Sequence, residues 1–130
     1  MEHALEDVTV ISFAQLAQGP FAAQMLGDMG AEVIKIERPG EGEYMRNWSM
    51  ANAYLEGESV TWLSINRNKR SIELDLKDEE DREVVYELIE DADVVLENFR
   101  PGVMDRLGFG YEELSERNEG LIYCSATGYG

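Results

Sequence analysis

Three groups of side chains in this sequence have the types and spacing to meet an anionic ligand. Glu37 and Arg38 stand side by side before Pro39-Gly40, Asn66-Arg67-Asn68-Lys69-Arg70 puts three positive charges into four residues, and Asp105 adjoins Arg106. Arginine suits phosphate best, because its planar guanidinium presents paired N–H donors to two oxygens at once. Each group also has a plainer reading. A strand-end Glu-Arg-Pro-Gly is by itself more often a solvated turn, the basic run can simply offset neighbouring carboxylates, and Asp105 with Arg106 can be a local ion pair. Nucleophilic chemistry of the Ser-His-Asp or Cys-His kind has no material, since His3 is the only histidine and lies at a terminus expected to fray. One cysteine and one histidine cannot make a zinc site, so no metal is expected. Carboxylates number 27, too many to single out an acid–base pair.

The elements that must carry these groups follow from the hydrophobic pattern. Asp7 to Phe13 is rich in Val and Ile and reads as a buried strand, ending in the polar loop Ala14-Gln15-Leu16-Ala17-Gln18-Gly19. Pro20 suits a first helical residue, because its missing N–H would have no intrahelical partner. Phe21, Met25, Leu26 and Met29 then recur at helical spacing up to a stop at Gly30. Ala31 to Glu37 reads as a second strand, broken by Arg38-Pro39-Gly40. Strand, helix and strand in about thirty residues is the βαβ unit of a parallel sheet. Residues 41 to 59 lack a steady period and read as a long ordered loop with one short helix at most, a length usually functional or packed on something else. Ser71 to Leu76 alternates as a half-buried strand, and Asp78 caps a helix whose first turn holds Glu79, Glu80 and Asp81, acids that favour the positive end of the helix dipole. Val84, Val85, Leu88 and Ile89 form its apolar face. A strand at Asp93 to Leu96, a helix start at Pro101, a short helix at Tyr111 to Arg117 and a last strand at Leu121 to Ala126 complete the pattern.

This alternation predicts an α/β fold, a Rossmann-like parallel sheet flanked by helices, within a single domain over residues 1–130. The last strand has no helix after it to cover it, which suggests a fragment. With 44% apolar residues and no window long enough to span a bilayer, a soluble globular protein is expected. The acidic N-terminus has no secretory pattern, and the lone Cys124, in an apolar run, is expected to be a small core residue in a reducing cytoplasm. The net charge of −16 makes nucleic acid and anionic membranes poor partners. Only three of the eleven bases are lysine. Acid excess with little lysine suggests a halophilic origin, where a Debye length of about 3 Å at 1 M salt screens self-repulsion.

Ligands of open α/β sheets bind beyond the carboxyl ends of the strands. Here that means the loops Gln15 to Gly19, Glu37 to Gly40 and Asn98 to Gly102. The first holds a single glycine, so the G-x-G-x-x-G fingerprint is absent and a dinucleotide oxidoreductase is not supported. Glu37 and Arg38 still fall about twenty residues further on, where Rossmann-like sites place ribose or phosphate contacts.

Four stretches, in order, resemble one family across essentially the whole chain: Gly19-Pro20 after the first strand; Leu26 to Gly40 (LGDMGAEVIKIERPG); Asn68 to Lys77 (NKRSIELDLK); and Ala92 to Gly102 (ADVVLENFRPG), running on through Asp105-Arg106-Leu107-Gly108. The sequence is similar to class III CoA-transferases, the formyl-CoA transferase and carnitine CoA-transferase family. That resemblance implies transfer of coenzyme A between carboxylic acids through an aspartyl-CoA thioester, with acyl-CoA and carboxylic acid substrates. It implies the N-terminal part of a larger domain in an interlocked homodimer. By the same resemblance Arg38 matches the position against the adenosine, Leu74 and Lys77 match positions lining that pocket, Asn98 and Phe99 lie along the pantetheine arm, and Arg106 lies near the phosphates. The family often carries a glutamine two residues before Gly-Pro, followed by alanine; here those positions are Ala17 and Gln18. Gln15 or Gln18 is then the candidate for the oxyanion or positioning role. The nucleophilic aspartate is expected beyond Gly128-Tyr129-Gly130, so these 130 residues alone should bind weakly and catalyse nothing. An acyl-CoA racemase of the same fold and a non-catalytic CoA or nucleotide-binding module are the alternatives.

Overall fold

The Val/Ile run near the N-terminus becomes the centre of a sheet because both of its faces are covered, which is where parallel strands are stable. The computed structural model describes residues 2–129. In chain order its elements are β1 (Thr9–Ser12), α1 (Gln18–Asp28), β2 (Glu32–Glu37), α2 (Tyr44–Asn47), a 3-10 turn (Met50–Asn52), β3 (Tyr54–Leu55), β4 (Glu58–Ser59), α3 (Val60–Ile65), β5 (Lys69–Glu73), α4 (Glu79–Glu90), β6 (Val94–Glu97), α5 (Val103–Leu107), α6 (Tyr111–Arg117) and β7 (Ile122–Ser125). Five strands form one sheet in the order β5-β2-β1-β6-β7, with every neighbouring pair parallel. Ile11 pairs with Ile34 on one side and Val95 on the other. The chain leaves β1 toward β2 and later returns to β6 on the opposite flank, so the order reverses between β1 and β6. A crevice at the carboxyl ends is expected at such a reversal.

The two faces are packed differently. On one, Val85 and Ile89 of α4 are fully buried against Ile11, Phe13, Val95, Phe109 and Leu114. Each buried aliphatic side chain contributes roughly 1.5–3 kcal/mol. The N-terminus of α4 is closed by Asp78, whose Oδ1 accepts from Glu80 N at 3.0 Å and Asp81 N at 3.2 Å, so losing that cap would cost about 1 kcal/mol. On the other face a smaller cluster of Val10, Ala14, Ala23, Ala31, Val33 and Leu96 lies under α1.

Helix α1 starts at Gln18, two residues before the expected Pro20, which still occupies the first turn where no donor is needed. Its buried face is Gly19, Pro20, Ala23 and Gln24, while Phe21, Met25 and Met29 are exposed. Small residues win that face because they let the helix lie close to the sheet. A Cβ on Gly19 would collide with that of Ala14 and come within 3.3 Å of Asn98 Cγ.

Other expectations shift. The third sheet strand is Lys69–Glu73 rather than Ser71 to Leu76, because its register with β2 ends at Glu37↔Glu73 and the chain then turns out over the rim. Pro101-Gly102 is a turn, with Gly102 at φ 78°, and α5 begins only at Val103. His3 is not frayed: its N–H donates to Glu6 Oε2 at 3.1 Å, Leu5 N donates to Met29 O at 3.0 Å, and Gly30 leaves room for the His3 side chain. Cys124 is exposed, not core, since it lies on the edge strand β7. Among the described residues no helix is long and apolar enough to cross a membrane.

Candidate functional site

The strand-end loops meet at the carboxyl rim as the strand order requires. A pocket of about 280 Å³ opens there, floored by Phe13, Ile36 and Leu107 at the end of the larger core. Arg38, Leu74, Lys77 and Phe99 all line it, together with Gln15. They come from the ends of β2, β5, β6 and β1, segments far apart in sequence. A second pocket of about 510 Å³ adjoins it and shares Gln15 and Arg38, with Tyr44 and Asn47 on its far side.

Each rim group has a definite state. Arg38 projects into solvent, its side chain 73% exposed, with a single 3.3 Å pair to Glu41. Such an exposed pair is worth about 0–1 kcal/mol, so the guanidinium is readily taken over by a stronger anion. The turn beneath it is pinned by Gly42 N to Arg38 O at 2.9 Å and Gly40 N to Glu73 Oε2 at 3.0 Å. Gly42, at φ 65°, admits no side chain, because a Cβ would lie 2.8 Å from Glu37 Oε2. Lys77 is exposed and Leu74 buried, giving the pocket a charged lip over an apolar wall.

Asn98 lies beside the pocket rather than in its wall. Its amide is turned on Gln15, with Oδ1 accepting from Gln15 N at 2.8 Å and Nδ2 donating to Gln15 O at 2.7 Å. Arg106, exposed on α5, folds back toward Gly102 and forms no ion pair among the described residues. Gln18 points away from the pocket and donates through Nε2 to Ala126 O at 2.9 Å. Of the two glutamine candidates, Gln15 is the one at the pocket.

The basic run of residues 66–70 faces elsewhere. Arg67 pairs with Asp28, Arg70 with Glu32, and the Lys69 ammonium donates to Pro20 O, Ile65 O and Asn66 Oδ1 at 2.7–2.9 Å. Burial, and after it the charge of Lys35, lowers Lys69 to about 7. This run offsets carboxylates and ties α1 to α3; it forms no part of the rim.

One buried charge network had no place in the sequence reading, which grouped Glu37 with Arg38 as a ligand pair. Lys35 and Glu37, two apart on β2, point to the α1 face, where residues 41–65 cover them. Glu37 is 4% exposed and binds Arg46 through both oxygens at 2.7 Å, Glu43 N at 2.8 Å and the Ser71 hydroxyl. Burial pushes its carboxyl up, but the Arg46 guanidinium, the Ser71 hydroxyl and the Glu43 N–H together bring it down to about 2. Lys35 Nζ lies 2.7 Å from Glu43 Oε2 and donates to Ala14 O at 2.6 Å. Burial lowers the Lys35 ammonium, opposed by the Glu43 carboxylate. Trp62 roofs the group, with Arg46 Cζ 4.0 Å from its ring centre. The available signal was a strand in which two charged residues take positions that alternate with Ile34 and Ile36.

Residues 5–130 match the model of CoA-transferase family III. The chain belongs to this family. The acetyl-CoA:oxalate CoA-transferase of Acetobacter aceti is 47% identical over 125 residues, covering 96% of this chain and 31% of its own length. The succinyl-CoA:mesaconate CoA-transferase of Haloarcula hispanica is 45% identical over 129 residues, covering 98% of this chain and 32% of its own. A solved CAIB/BAIF family protein from Brucella suis superimposes with a TM-score of 0.91 at 42% identity, over 100% of this chain and 35% of that one. The chain thus spans about a third of the length of these relatives.

Proposed function

We propose that this chain supplies much of the coenzyme A site of an enzyme that moves coenzyme A between short-chain or dicarboxylic acids. What carries the reading is that Arg38, Leu74, Lys77 and Phe99 line one rim pocket in a member of the CoA-transferase family. The adenosine end lies against Arg38 and the Leu74 wall, with Lys77 and Arg106 available to its phosphates. The pantetheine arm runs past Phe99 toward Gln15 at the β1/β6 reversal. Excess negative charge elsewhere on the chain makes these exposed cations the favourable landing point for an anionic carrier. The transfer step belongs to a carboxylate nucleophile outside these residues, which carries coenzyme A as an aspartyl thioester in an interlocked homodimer. The named oxalate and mesaconate transferases support small carboxylic acids as the substrate class.

The direct test is calorimetric titration of coenzyme A into the full-length protein and its Arg38→Ala variant. A loss of about 1 to 3 kcal/mol is expected if the guanidinium meets phosphate or base. Unaltered affinity would remove Arg38 from the site. Trapping of an aspartyl thioester by hydroxylamine or borohydride separates transfer from racemisation.

A further inference from the structure

Among the described residues the Ala14–Leu16 segment has its main chain held almost wholly by side chains. Lys35 donates to Ala14 O at 2.6 Å, Asn98 binds both Gln15 N and Gln15 O, and Glu43 Oε1 accepts from Leu16 N at 2.5 Å. The holders come from β2, from the turn before α2 and from the loop after β6, 21 to 83 residues away in sequence. Leu16 sits at φ 63° and is 48% exposed, so neither intrinsic preference nor burial keeps it there. Lys35 and Glu43 are buried to 2% and 1% side-chain exposure. Stability alone does not call for such a pair, since well-packed apolar residues usually replace a buried ion pair without loss. What an apolar pair cannot do is satisfy Ala14 O and Leu16 N. The residue between those two atoms is Gln15, which lines both rim pockets.

We infer that Lys35, Glu43 and Asn98 are positioning residues that hold the Gln15 main chain, and through it the Gln15 side chain, at the reacting end of the coenzyme pocket. The inference rests on the coenzyme A reading of that pocket. It also reassigns Asn98, whose amide acts through Gln15.

The test uses the full-length protein and two charge-neutral double variants. Lys35→Met with Glu43→Leu removes the two charged holders; Lys35→Met with Glu43→Gln restores an acceptor for Leu16 N–H. Amide exchange of the peptide spanning residues 13–18 is read by mass spectrometry with no ligand present. The first variant should exchange about tenfold faster or more there, and the second should recover most of the protection. The first should lose about tenfold or more in kcat while KM for acyl-CoA stays within about twofold, because Arg38, Lys77 and Phe99 are untouched. Asn98→Ser, which leaves the buried pair intact, should show the same pattern and serves if the double variants unfold. Unchanged exchange in the segment overturns the inference, as does faster exchange with kcat intact. A fall in kcat that merely follows a fall in melting temperature overturns it too. Because exchange is read without ligand, an acyl-CoA KM indifferent to Arg38→Ala would sink the coenzyme reading and leave the exchange result standing.

Discussion

Glu37→Gln tests the buried network through its pH dependence. The Glu37 carboxyl falls from an ordinary 4.5 to about 2 because three donors hold its ionised form more strongly than burial opposes it. A tenfold change in acidity is about 1.4 kcal/mol, so the network favours the folded state by about 3 kcal/mol through this one group. The sign follows from the depressed value. The unfolded chain takes up its proton near 4.5 and the folded chain only near 2, so the contribution is complete above pH 4.5 and drains away as pH falls through 2. The partly exposed Arg46 partner, 36% accessible, is screened by water and brings the figure toward its lower side. Acidification also carries the chain from −16 through its isoelectric point near 4.2 to net positive charge, so repulsion first falls and then returns, and this change would obscure the effect in the wild type alone. Subtracting Glu37→Gln cancels that common term, since the two proteins differ by one carboxylate. Urea unfolding of both proteins from pH 7 to pH 2.5 should show the wild-type advantage shrinking by about 2–3 kcal/mol, nearly all below pH 4.5. A difference that stays constant across that range would show that Glu37 has an ordinary acidity and that the network does not hold its charge.

Gly19→Ala should destabilise the protein by about 1–3 kcal/mol, read as a lower melting temperature, because the added methyl collides with Ala14 where α1 crosses the sheet. Lys77→Ala should weaken coenzyme A binding by at most about 1 kcal/mol and flatten its salt dependence, as expected for an exposed ammonium; a larger loss at high salt would mean a desolvated contact. If the acid excess is a halophilic adaptation, dialysis from molar to millimolar salt should diminish the far-UV circular dichroism signal, and an unchanged spectrum would reject that origin.

The alternation of Val/Ile runs with helical spacing was sufficient for the parallel α/β sheet, because strand and helix periods are local properties of side-chain order. The rim location of Arg38 and Phe99 was reachable as well, since parallel strands all deliver their following loops to the same edge, whereas Leu74, read as part of a strand, reaches the rim because β5 ends at Glu73. Which polar group meets which was not. Arg67 and Arg70 carry the same fork as Arg38, yet Arg70 ends on Glu32 because β5 pairs with β2 in a register that brings it there, and Arg67 ends on Asp28 at the end of α1. Asn98 and Gln15 stand 83 residues apart and meet only because β1 and β6 are neighbours at the reversal. Residues 41–59 showed no period because they are held down by Lys35, Glu37 and Trp62 rather than by an apolar stripe. Local order in the chain determines the elements; the closeness of charges distant in sequence depends on strand pairing, which only the assembled sheet decides.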